Sequence, residues 1–154
     1  MPKDPYKNEL FKDSPYASKT PVIGRLLCVL DAELPERGLE LSPFPSRAVL
    51  KNEIHELILT DQAEAGPGAK VDHIAYLGFF EVLEGGILLQ GDKLKINGES
   101  IGHLAGYDFT HLPNHMNLII KTDQPLQTGH ARGLSCGDPV SFIFTPNTTN
   151  KAEE

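Results

Sequence analysis

The chain has 154 residues, 40% of them hydrophobic and 23% charged, with 14 glycines and 12 prolines. Those amounts suit one globular domain and leave too little length for two. Twenty-one acidic residues against 14 basic ones give a formal net charge of -7, which argues against a nucleic-acid or anionic-lipid surface built on clustered Lys and Arg.

No apolar run approaches the roughly 18 residues of a membrane span, and the segment Met1 to Glu9 lacks the apolar centre of a signal peptide. A cytoplasmic protein that does not engage membranes is expected, with Cys28 and Cys136 as reduced thiols.

Residues 1–20 combine Pro2, Pro5 and Pro15 with scattered Tyr6, Leu10, Phe11 and Tyr16, and read as an irregular arm docked through those four side chains. From Val22 to Leu30 both alternating sets are apolar, so the segment reads as a strand covered on both faces or a short buried helix; its β-branched content and Pro35 favour the strand. Pro35, Gly38, Pro43 and Pro45 make Glu33 to Ser46 a long loop, with room for a short helix or 3₁₀ turn in Ser46 to Lys51. Ile54 to Thr60 resumes a strand. Between Val71 and Leu83 the apolar phase changes near Gly78, as a glycine bulge would produce; partial cover on both faces is the alternative.

Leu94 and Ile96 alternate with Lys93 and Lys95 ahead of Asn97-Gly98, a pair that accepts the positive φ angles of a two-residue hairpin turn. Asn117 to Lys121 and Val140 to Phe144 complete the strands, and the tail from Pro146 to Glu154 has no apolar period. Short strands without an amphipathic helix predict an all-β domain over residues 21–145. Closure into a small, closed or partly open β-barrel would remove its exposed edges.

The order Leu57-Ile58-Leu59-Thr60, a Gly/Ala/Pro loop, Ile74 to Val82, Gly86 to Ile96, Ile119-Ile120 and the terminal Gly137-Asp138-Pro139-Val140-Ser141-Phe142 resembles the IIA component of the glucitol/sorbitol phosphotransferase system. The resemblance implies a small β-barrel, and in that family a histidine on the strand after the Gly/Ala/Pro loop carries a phosphoryl group. Here that strand reads Ile74-Ala75-Tyr76-Leu77-Gly78-Phe79-Phe80, and His73 stands just before it. The phosphorylation site is therefore not carried over. What the resemblance implies is a barrel that has lost the phosphocarrier role and keeps a binding or regulatory one.

Three of six histidines, His103, His111 and His115, crowd one region, where neutral imidazoles could hold a metal ion with water in the open position. Their spacing fits no zinc signature, and ordinary loop and strand-end histidines are the alternative. Gly102 to His111, with Tyr107, has the mixture of small, aromatic and polar groups that a ligand pocket uses, and also that of a plain connection. In Thr128 to Asp138, Arg132 could hold an anion and Cys136 beside His130 could be a nucleophile, but an inert packed thiol is the simpler reading. No Gly-x-Ser-x-Gly elbow or P-loop occurs, and Glu81 and Glu84 read as a solvated strand end.

The expectation is a non-catalytic barrel, without a cofactor, that binds a small molecule or a partner protein at one end through His103, Tyr107, His111 and His115, with His73 at the same opening. A phosphocarrier using His73 and a metal-dependent enzyme using the other three histidines are the alternatives. A homodimer is expected from the apolar Leu39, Leu41, Phe44 and the tyrosines of the arm.

Overall fold

The computed structural model describes residues 15–146. The docking expected of Tyr6, Leu10 and Phe11, and the tail beyond Pro146, lie outside the described residues. The strands are β1 (Val22–Val29), β2 (Glu33–Leu34), β3 (Leu39–Glu40), β4 (Ser46–Val49), β5 (Ile54–Thr60), β6 (Lys70–Val71), β7 (Ile74–Glu84), β8 (Gly86–Leu89), β9 (Lys93–Ile96), β10 (Glu99–Asp108), β11 (Asn117–Lys121) and β12 (Pro139–Ile143). No helix occurs among the described residues.

Seven strands join edge to edge in the order β1, β12, β9, β10, β11, β5, β7, and β7 pairs back with β1, giving a ring that is a partly open β-barrel. The β11–β5 pairing is parallel and the other pairings in the ring are antiparallel. The β9–β10 hairpin turns at Asn97 and Gly98, whose φ angles of 55° and 77° need small residues that tolerate the left-handed region. The phase change at Gly78 is a bulge: Leu57 pairs with Gly78, the next residue of β5 pairs with Tyr76, and the β1 register shifts nearby.

Inside the ring, Leu26, Leu57, Leu77, Phe80, Leu94, Leu104, Leu118, Ile120 and Phe142 form the main core. A second core lies on the outside of the sheet, where Leu39, Leu41, Ala65 and Val71 cover Ile58, Ile74, Ala105 and Ile119. β5 is thus apolar on both parities because both of its faces are covered.

Three expectations change. β1 is covered on one side only: Val22, Gly24 and Leu26 are buried, whereas Leu27 and Cys28 are exposed, because the bulge after Leu26 turns the strand's end outward. Ser46 to Lys51 holds no helix; Ser46–Val49 is β4, paired with β8. The stretch Glu33 to Ser46 contains β2 and β3, and its Leu39 and Leu41 are spent in the second core, 1% and 4% exposed, so they offer no surface to another chain.

The outer face of β10, β11, β5 and β7 therefore has three levels. Asp108, Asn117, Glu56 and Phe79 are cross-strand neighbours at one end. The second core occupies the middle. At the other end His103, Lys121, Thr60 and Ile74 are neighbours, with Lys93 of β9 opposite His103.

Candidate functional site

At the His103 level the surface is hollowed into a half-open groove of about 470 Å³. One wall is Ser100, Ile101, Gly102 and His103 of β10, another is Lys121 and the following Thr122, Asp123 and Gln124, and Asp61 and Ala63 close it from the loop after β5. Gly102 lies against Lys121, with no space for a Cβ between the strands.

Part of this polar lining is already engaged. Lys121 Nζ donates to Ala63 O at 3.2 Å, and Gln124 Oε1 accepts from Arg132 Nη2 at 3.1 Å. The His103 ring and the Asp123 carboxylate make no hydrogen bond or ion pair among the described residues. Lys121 retains further N–H donors. The groove thus presents unspent donors and acceptors of both charge signs above an apolar floor at Ile101.

Beside the groove, Asp61 is held by His73. The imidazole stands between two carboxylates, Nδ1 3.1 Å from Asp61 Oδ1 and Nε2 2.9 Å from Glu33 Oε2. The Glu33 hydrogen bond, with help from Asp61, holds the His73 pKa above its ordinary value, because only the doubly protonated ring can donate to both.

The opposite level is roofed by the loop between β10 and β11. His115 lies edge-on to Phe79, with ring centroids 5.0 Å apart, and stacks on His111 at 5.1 Å. Its Nε2 is 3.4 Å from Glu56 Oε1. Beneath it Asn117 Nδ2 donates to Asp108 Oδ2, whose partner oxygen accepts from the Thr110 hydroxyl. Burial raises the Glu56 pKa, and the charges of His111 and Arg37 partly offset that.

On the inner side of β5, His55 accepts from the Met116 backbone N–H through Nδ1 and approaches Glu53 Oε1 through Nε2 at 3.2 Å. Both nitrogens are committed. Burial pushes its pKa down, against the opposing pull of Glu53.

The histidines grouped by sequence are thus divided between two ends. His103 lines the groove, and His73 stands beside it, against Asp61. His111 and His115 belong to the roof at the other level, roughly 13 Å away along β11 at the rise of an extended strand. Tyr107 belongs to neither: it is fully buried in the main core, stacks on Phe109 and donates its hydroxyl to Pro45 O at 3.3 Å. Among the described residues no group of three His, Cys, Asp or Glu side chains is arranged to hold a metal ion. Cys28 and Cys136 are free and exposed.

Sequence reasoning missed Asp61, Lys121, Asp123 and Gln124, which ordinary strand and loop composition conceals. It also passed over Glu56, although a carboxylate inside a run apolar on both parities is a visible signal.

A family model described as a family of unknown function (DUF6917) matches residues 16–143. No curated protein and no solved structure matches the chain. No helix of the described residues is long and apolar enough to cross a membrane.

Proposed function

The chain belongs to the DUF6917 family, and we propose that it is a non-catalytic binding domain that holds a small polar molecule in the groove between β10, β11 and the loop after β5. The observation that carries this reading is the groove itself. Its volume of about 470 Å³ suits a metabolite, and its His103, Lys121 and Asp123 side chains keep unspent hydrogen-bonding capacity. Binding sites are commonly concave, with a few directed polar groups above apolar walls.

The lining mixes one lysine and one histidine with two aspartates, so it suits a ligand carrying both donors and acceptors, hydroxylated or zwitterionic, better than a simple anion. The phosphocarrier alternative is less well supported, because a nucleophilic imidazole needs a free neutral nitrogen and both nitrogens of His73 face carboxylates.

The test is a ¹⁵N–¹H NMR screen of hydroxylated and zwitterionic metabolites. Saturable shifts confined to residues 100–103 and 121–124, lost in H103A and K121M with thermal stability unchanged, are expected. Binding that persists in both variants, or maps elsewhere, would overturn the assignment.

A further inference from the structure

Glu56 is a carboxylate placed where the fold provides it with no donor. It sits within β5 between Phe79 of β7 and Asn117 of β11, and is 6% exposed. No hydrogen bond reaches its oxygens among the described residues: the His115 Nε2 atom at 3.4 Å is shielded from solvent and unpartnered. A carboxylate left with only this sliver of solvent contact and no hydrogen-bond donor from the protein is costly, and a leucine at this position would avoid the cost.

The atoms around it are acceptors too. His115 Nδ1 lies 2.7 Å from Asn114 Oδ1, and with the ring proton on that side Nε2 presents a lone pair. Asn117 is 1% exposed and spends its amide nitrogen on Asp108, leaving its shielded Oδ1 without a partner. Of the groups near it, Arg37 directs its Nε to the Tyr76 hydroxyl, and the His111 ring stacks on His115. Their charges act on Glu56 without bonding to it.

We propose that the juxtaposition of Glu56, His115 Nε2 and Asn117 Oδ1 beneath the β10–β11 loop is a second binding site, for a small organic cation of the primary-ammonium or guanidinium class. Such a group supplies the donors that all three acceptors lack and the positive charge that the carboxylate lacks, and the Phe79 ring forms an aromatic wall beside it. Water would supply donors without charge. The spacing of His, Cys, Asp and Glu side chains fits no metal ion among the described residues.

Methylammonium and guanidinium are the probes, with tetramethylammonium and sodium as controls that lack N–H donors. NMR titration is expected to give saturable shifts at Glu56, Phe79, His115 and Asn117 with the two donors only, weakened at least roughly tenfold in E56Q. The Glu56 carboxyl of the unaltered protein, observed by ¹³C NMR, is expected to titrate at lower pH when methylammonium is bound, a readout independent of any variant's folding. Equal responses to all four ions, unchanged binding in E56Q, or a Glu56 titration indifferent to methylammonium would each overturn the site. None of these outcomes depends on whether the groove at His103 binds a ligand.

Discussion

Lys19 Nζ lies 2.8 Å from Asp92 Oδ2, and the two side chains retain only 7% and 1% of their exposure. Asp92 Oδ2 also accepts from the Leu89 backbone N–H, while Lys19 Nζ has no aligned hydrogen bond, so charge holds the pair together. This contact fastens the segment before β1 to the turn that opens the β9–β10 hairpin.

Removing one partner strands the other. K19M is expected to lower unfolding free energy by about 3 kcal/mol, since an uncompensated buried carboxylate remains. The double variant K19M/D92N should recover part of that loss, as read from urea midpoints. Equal stability of single and double variants would show that the stranded carboxylate is not the source of the loss.

Gly78 sits where β7 meets β1, and a Cβ there would run into the Cys28 carbonyl oxygen, a backbone atom with no rotamer to yield. G78A should therefore cost about 2 kcal/mol or more. Gly98, whose added Cβ would meet nothing within 4 Å, is the control; its penalty should come from the positive φ alone and stay near 1 kcal/mol.

His55 and His73 should impose opposite pH dependences. The His73 pKa is raised, so its stabilising contribution is complete below the ordinary value of 6.5 and fades as pH rises through the higher folded value. The His55 pKa is lowered by burial, so its contribution is complete above 6.5 and fades as pH falls towards the lower folded value. Side-chain NMR titration should separate the two midpoints on either side of 6.5. H73Q should remove the loss on the alkaline side, and H55Q the loss on the acid side.

Leu41 tests whether the second core carries weight. Its side chain packs against Gly106 and is 4% exposed. L41A should destabilise the protein by about 2 to 4 kcal/mol, within the range for truncated core leucines. A loss under about 0.5 kcal/mol, typical of surface positions, would mean that the cover over the outer face is loose.

Local chemistry made some of this fold legible. Asn97-Gly98 specifies its own turn, and the phase change at Gly78 is written in the alternation of Leu77, Phe79 and Phe80. The outer core was not legible, because prolines at 35, 43 and 45 mark a loop without telling whether Leu39 and Leu41 face water or a sheet. The parallel β5–β11 pairing depends on residues some sixty positions apart and has no sequence signature. The histidine cluster misled for a related reason: an extended strand separates His103 from His115 by far more distance than the intervening loop suggests. Glu56 was legible as a charge in an apolar run, yet its significance rests on Asn117 and His115, which tertiary pairing alone brings to it.

The position of β12 sets the order in which this molecule can be assembled. It is the last strand along the chain and lies between β1 and β9, so the seam on that side is stitched by backbone synthesised after everything else in the ring. A released chain ending at Gly137 would own the β1–β7 pairing and the β9–β10 hairpin, yet would present the unpaired edges of β1 and β9 to its neighbours. Free chains truncated at Gly137 should stay sensitive to protease and prone to cluster, and extension past Ile143 should make them compact and solitary in one step.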